Sequence, residues 1–302
     1  MADVTDVAFR RVIAEKGKPD AMWTEFVSAD GLARAPEAGR QKLLLDLKYS
    51  ESERPIVAQF FTANPEYMKQ AAQLAAELGF DGVDINMGCP DKNVNRQKAG
   101  AELIKNPTLA RELIRAAKEG APNLPISVKT RVGYNQPELE IWLPEILKEN
   151  PAVVTIHART RKEMSKVPAR WEHVQRAVKI RNELGSKTLI LGNGDIKDLS
   201  EARLRTLETG CAGIMLGRAI FGNPWLFSGR VPDKTEKLET LAKHIKLFDE
   251  LLGHAKNFAV MKKHFKSYLT GLPEVHELRA ALMSSQNATE ALATLGVILR
   301  TK

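Results

Sequence analysis

Cysteine is nearly absent from this chain. Cys89 and Cys211 are the two present in 302 residues, too few for a disulfide framework, so a reducing cytoplasm is the expected compartment. No Cys/His cluster has the spacing of a zinc site, and no metal is expected. Long apolar runs are missing as well: no window approaches the ~18 residues that cross a bilayer, and residues 1–6 lack the basic and apolar parts of a secretory signal. These absences exclude a disulfide-stapled secreted domain, a zinc protein and a helical membrane protein. A monomer with no membrane partner is the default expectation.

What is present is material for a large core and an excess of positive charge. Hydrophobic residues make up 43% of the chain, and 302 residues accommodate one α/β barrel of about 250 residues with a small appendage. The formal charge of +8 favours a polyanionic partner, because dispersed Lys and Arg steer and hold phosphate backbones. Basic residues concentrate at 234–246 and 256–266, where a solvated helix face is the plainer alternative.

Up to about Phe227 a short β-rich apolar run, a loop with Gly, Asn or Asp, and an amphipathic stretch recur in that order. Strands are expected at 20–25, 55–60, 82–87, 126–130, 153–157, 188–192 and 213–217, and helices at 65–78, 107–118, 139–148, 171–184 and 199–209. Asn64-Pro65 and Asn106-Pro107 read as N-caps followed by proline at the first helical position. Regular β-α alternation predicts a parallel sheet. Polar residues close the runs: Glu25, Gln59, Asn86, Lys129, His157, Asn193 and Arg218. A TIM (β/α)8 barrel would gather such ends into one ring. Seven strands are counted and the chain opens on what looks like the loop after a first strand, so that first strand is expected to be missing. From Phe227 onward the periodicity is helical, with Leu238, Leu241, Ile245 and Phe248 on one face and a further helix over 275–283. The expected division is therefore a barrel over 1–230 and a small helical domain over 231–302.

Three groups of residues carry chemistry. The run 80–87 leads into Gly88-Cys89-Pro90, which delivers a thiol to the C-terminal end of a strand, although a lone cysteine is commonly a small buried hydrophobe. Asn193-Gly194-Asp195 and Gly217-Arg218 close two successive strands before helices. They offer the backbone N–H groups and the arginine fork that a phosphate needs. Lys129 ends an apolar strand, where it is costly to bury without an anion; a Schiff-base lysine and a cation beside a flavin both fit. Gln59 suits a planar heterocycle or its own strand end. His157 leads into the basic loop Arg159-Thr160-Arg161, suited to phosphate or RNA.

Taken together, Met1-Ala2 with Thr5-Asp6 and Phe9-Arg10, then Gln59, Asp84-x-Asn86-x-Gly88-Cys89-Pro90, Val128-Lys129-x-Arg131, His157-x-Arg159-Thr160, Asn193-Gly194-Asp195 and Gly217-Arg218, in this order along nearly the whole chain, resemble the tRNA-dihydrouridine synthases. The terminal Lys263-His264-Phe265 with Tyr268-Leu269 also looks like that family's helical domain. The resemblance implies an FMN-bearing barrel that reduces the C5–C6 bond of particular tRNA uridines, with NADPH as reductant and tRNA as partner. It implies that Asn193, Gly194, Asp195, Gly217 and Arg218 hold the FMN phosphate, that Gln59, Lys129 and His157 line the isoalloxazine, and that Met1 and Ala2 add contacts to the flavin. Asn86 would orient the uracil, Arg159 and Arg161 would grip RNA phosphates, and Cys89 would be the general acid. Cys211 is expected in the core. Two other readings stand beside this one: an FMN barrel oxidoreductase acting on a small pyrimidine, and a non-catalytic tRNA-binding relative.

Overall fold

The structure is a computed structural model that describes residues 1, 3–273 and 275–300. The chain runs from helix α1 (Val7–Gly17) through strand β1 (Met22–Ser28) and helices α2 (Ala29–Arg34) and α3 (Glu37–Asp46) to β2 (Ile56–Phe61) and α4 (Pro65–Glu77). Next come β3 (Gly82–Met87), α5 (Lys92–Arg96), α6 (Pro107–Gly120), β4 (Ile126–Arg131), α7 (Leu139–Leu147) and β5 (Val153–His157). They are followed by α8 (Glu172–Glu183), β6 (Leu189–Asn193), α9 (Leu199–Thr209) and β7 (Gly213–Met215). Helices α10 (Lys234–Leu252), α11 (Met261–Tyr268), α12 (His276–Ser284) and α13 (Ala288–Arg300) follow with no strand among the described residues.

The seven strands lie in one sheet in chain order, and β2 to β7 pair in parallel, each with the next. Chain order is what right-handed crossovers produce when each helix returns the chain beside the strand just left. The fold is thus the α/β barrel class with a helical C-terminal segment, as the alternation predicts. Local chemistry starts the helices where expected. Asn64 Oδ1 accepts from Glu66 N at 2.9 Å and Asn106 Oδ1 from Leu109 N at 3.2 Å, each with proline next in sequence. No helix among the described residues is long and apolar enough to cross a membrane.

The first expected strand needs correction. It extends to Ser28, because Phe26-Val27 continue the extended run until Ser28 Oγ accepts from Gly31 N and starts α2. Glu25 is therefore not at a strand end. It lies inside β1, 3% exposed, accepting from Val4 N at 3.1 Å and paired with Lys256 at 3.0 Å.

Two compact units are distinguished. One comprises Phe26–Leu44 and Pro55–Arg218, the other Met1–Glu25, Leu45–Arg54 and Ala219–Lys302. In the first, Val83, Ile85, Val128, Val154, Ile156 and Ile190 are fully buried on the sheet face that meets the helices, each worth about 1.5–3 kcal/mol in transfer terms. In the second, Leu241, Ile245 and Phe248 of α10 and Met261, Phe265 and Tyr268 of α11 are fully buried. The Phe9-Arg10 motif belongs to this unit: Phe9 stacks on His244 with centroids 5.0 Å apart, and Arg10 pairs with buried Glu53 at 2.7 Å.

Candidate active site

Parallel register decides which residues share a face. Gln59 sits beside Asp84, Asp84 beside Ser127, Asn86 beside Lys129, Arg131 beside His157, and His157 beside Asn193. Side chains alternate along a strand, so all of these polar residues fall on one face. The apolar residues between them fall on the other, against the helices.

A chain of hydrogen bonds runs along the polar face. Asp84, fully buried, accepts from Ser127 Oγ at 2.5 Å and from Gln59 Nε2 at 2.6 Å. Burial pushes its carboxyl up to about 6, with those two hydrogen bonds opposing, so at neutral pH it remains an acceptor only. That fixes the Gln59 amide, whose Oε1 must face Asn86 Nδ2 at 3.0 Å. It fixes Asn86 in turn, whose Oδ1 accepts from Gly88 N at 3.1 Å and Cys89 N at 2.9 Å. One buried carboxylate thus sets the orientation of two amides and, through them, of the cysteine loop.

The same loop is held from three further directions. Arg131 donates from Nε to Gly88 O at 2.7 Å and from Nη1 to Thr160 O and Met164 O at 3.0 and 2.9 Å. Thr130 Oγ1 donates to Met87 O at 3.1 Å. Cys89 O accepts from Ala101 N at 3.0 Å and Asn95 Nδ2 at 3.2 Å. Gly100, at φ +64°, lies so close that a Cβ there would stand 2.8 Å from Cys89 O. Cys89 itself is half-buried, and burial pushes its thiol above the ordinary value, leaving it protonated at neutral pH.

On the far strands the arrangement is cationic. Lys129 Nζ donates to Asn193 Oδ1 at 3.3 Å, and Asn193 Nδ2 donates to Met215 O at 2.7 Å. Burial, then the Arg131 charge, brings the Lys129 ammonium down to about 8. Among the described residues no carboxylate is within ion-pairing distance of Lys129. Burial, reinforced by Lys129, Arg131 and Arg159, holds the His157 imidazole neutral. Gly194, at φ +132°, has no room for a side chain: a Cβ would lie 2.8 Å from Ala169 Cβ and 3.3 Å from His157 Cδ2. Asp195 pairs with Arg159 and, at 2.6 Å, with Arg218. Although partial burial opposes its ionisation, the hydrogen bonds from Arg159 and Ala169 N and the two arginine charges keep its carboxyl below the usual range.

These residues suit a flavin mononucleotide. A half-buried ammonium with no directly paired carboxylate among the described residues, a neutral imidazole, a glycine turn that admits no Cβ and a solvent-exposed Arg218 are what an anionic ring edge and a phosphate require.

The structure brings together Gln59, Asn86, Cys89, Lys129, His157, Asn193, Gly194 and Asp195, with Arg218 joined through Asp195; Gly217 follows β7, half-buried. Arg159 is not at an RNA-facing surface. It is 3% exposed, donating to Val167 O at 2.6 Å, 3.1 Å from His157 Nε2 and paired with Asp195. Arg161 is half-buried with its guanidinium over the Tyr134 ring. The Met1 ammonium, in the other compact unit, donates to Thr5 Oγ1 at 2.7 Å; Ala2 lies outside the described residues. Cys211 is buried, as expected. Sequence reasoning gave no role to Asp84, Ser127, Asn95 or Arg131. The available signal was the two-residue spacing of Asp84 and Asn86 within an otherwise apolar run.

Residues 1–301 match the family model for dihydrouridine synthase. The chain is 42% identical over 299 residues to the probable tRNA-dihydrouridine synthase 2 of Bacillus subtilis strain 168, covering 98% of this chain and 91% of the relative. It is 39% identical over 299 residues to the probable tRNA-dihydrouridine synthase of Staphylococcus aureus strain COL, covering 98% and 90%. Among solved structures it is similar in fold to histamine dehydrogenase from Rhizobium sp. 4-9, with TM-score 0.54 and 13% identity over 81% of this chain and 47% of that one. It is also similar to morphinone reductase in complex with tetrahydroNAD, with TM-score 0.51 and 15% identity over 78% and 85%.

Proposed function

Because this chain belongs to the dihydrouridine synthase family, we propose that it is a flavin enzyme reducing the C5–C6 double bond of particular uridines in tRNA, with FMN as resident cofactor and NADPH as reductant. Gln59, Lys129 and His157 would line the isoalloxazine. Asn193, Gly194, Gly217 and Arg218 would take the phosphate, with Asp195 acting through the arginines it orients. Met1 and Ala2 are further candidates for the flavin. Bound FMN supplies the hydride that adds to C6 of the uracil.

The chain's own residues do the rest. Asn86 uses its Oδ1 on the cysteine loop and one N–H on Gln59, which leaves one N–H for the uracil. Hydride addition leaves negative charge on the uracil, and C5 must then be protonated. Cys89 gives its Sγ proton to C5 and becomes a thiolate, which solvent reprotonates before the next turnover. The target base has to leave its stack to reach this loop. Arg161 would hold the phosphates beside it, whereas buried Arg159, bonded to His157 and Asp195, would support the flavin end.

The observation that supports the reading is a protonated thiol in a fixed loop beside a half-buried ammonium that no carboxylate among the described residues pairs directly, Asp84 acting on it only at longer range. The test is anaerobic. Protein reconstituted with FMN and reduced by NADPH should be reoxidised by tRNA that lacks dihydrouridine, and Cys89→Ala should keep its flavin while losing most of that reoxidation. A protein that takes up no flavin, or that reoxidises equally fast without Cys89, would sink the proposal.

A further inference from the structure

One cluster lies outside the polar face, and of its residues only Arg161 has a part in the reading above. Three segments meet there: the 3₁₀ turn Gly100–Lys105 that follows the cysteine loop, Tyr134 beyond β4, and Arg161 beyond β5. Two backbone hydrogen bonds of 2.9 Å, Arg161 N to Gly133 O and Lys162 N to Tyr134 O, join the last two. Lys105 Nζ stands 4.4 Å from the Tyr134 ring centroid and Arg161 Cζ 5.2 Å from it. Glu102 pairs with Lys105 and is hydrogen-bonded to Tyr134.

The electrostatics of this cluster are incomplete. Two cations are gathered against one ring, where they repel each other, and a single carboxylate, Glu102, paired with Lys105 and acting on Arg161 at longer range, faces them both. Arg161 Nε is buried with no hydrogen-bond partner among the described residues, while the Lys105 side chain is 50% exposed. A patch that served stability alone would gain by matching its charges. A patch that waits for an anion would not. The location fits such a ligand: Gly100 abuts Cys89, and a 3₁₀ turn rising about 2.0 Å per residue carries Lys105 about 10 Å further. That is the reach of nucleotides flanking the one presented to the thiol. Arg131, bonded to Gly88 O on one side and to Thr160 O on the other, fixes the cysteine loop against the segment bearing Arg161.

We propose that Lys105 and Arg161, held in place by Tyr134, form a fork for an RNA phosphodiester next to the reduced uridine, and that Glu102 weakens this grip by competing for Lys105. The proposal rests on the tRNA reading above. It adds three residues, Lys105, Tyr134 and Glu102, to which the reaction gave no role, and it assigns one of them an inhibitory sign.

The test uses the flavin-loaded full chain and tRNA lacking dihydrouridine. Equilibrium binding is measured over a range of salt concentrations, together with kcat and KM for flavin reoxidation. Lys105→Ala should raise Kd and KM by roughly three- to tenfold and reduce the slope of log affinity against log salt by about one, with the effect on KM rather than kcat. Tyr134→Leu should weaken binding likewise. Glu102→Gln should tighten it, an outcome that misfolding does not produce. Lys105→Ala with native affinity and native salt slope, or Glu102→Gln with weakened binding, would overturn the fork while leaving the tRNA reading intact. A native protein that binds tRNA but never reoxidises its flavin with it would instead remove the reading on which the fork rests.

Discussion

Asp84 organises the site by being unable to donate. As an acceptor it leaves Gln59 and Asn86 one amide orientation each, and the loop N–H groups of Gly88 and Cys89 inherit that order. Lys129 provides a direct check on the electrostatics. Its ammonium is charged below about 8 and neutral above, so FMN affinity of the apoprotein should fall as pH rises through about 8. In Lys129→Met affinity should be weaker at pH 7, nearly flat across that range and close to the native value at pH 9, as fluorescence titration at the two pH values would read. Cys89 behaves oppositely. Its thiol is pushed up by burial, so the donor form persists to alkaline pH, and Cys89→Ser, a far weaker acid, should slow reoxidation by tRNA at least 100-fold (about 3 kcal/mol) with flavin content unchanged. Lys129, His157 and Asn193 stood out in the sequence because each is polar at or near the end of an apolar run, whereas Gln59, expected at a strand end, lies inside its strand with Phe60 and Phe61 after it. Asp84 and Ser127 did not stand out, since their role exists only across strands. Nor does any local pattern distinguish buried Arg159 from half-buried Arg161.

Among the elements, β3 and β5 occupy the spans read from sequence, 82–87 and 153–157, because a sharp break follows each apolar run. Strand β1 did not, because a buried carboxylate inside a strand looks like a strand end until Lys256 is placed beside it. The short helix α5 and the turn Gly100–Lys105 were invisible to periodicity, being only one to two turns long. They nevertheless brace the cysteine loop. Gly100 is the position where this bracing is most exposed to change: at φ +64°, with Cys89 O in the way, Gly100→Ala should destabilise by about 1–3 kcal/mol in urea unfolding and impair reoxidation more than flavin binding.

At the scale of the whole molecule, residues 1–25 and 45–54 group with 219–302 in one compact unit, a long-range relation that no local pattern carries. Within that unit His244 and His264 are fully buried, their centroids 4.6 Å apart, with no hydrogen-bond partner among the described residues for any ring nitrogen. Burial, with the nearby Lys263 charge, brings His264 down to about 4, and burial together with His264 lowers His244 well below its usual value. A depressed folded pKa means that the unfolded chain takes the proton first. Stability is therefore complete above about pH 6.5 and is lost as pH falls toward 4, by roughly 3 kcal/mol for His264 alone. His264→Phe should keep its stability at pH 8 and lose much less of it at pH 5, as denaturant midpoints would report. The parallel register, finally, gives the reactive face an arithmetic property. Gln59, Asn86, Lys129, His157 and Asn193 share a side of the sheet because the count of residues along each strand has the right parity. Inserting or deleting one residue within β4 would turn Lys129 toward the helices and Val128 toward the substrate, whereas the same change in the loops between elements would leave the count intact. Lineages of this chain should thus vary in length between the strands and hold each strand to a fixed number.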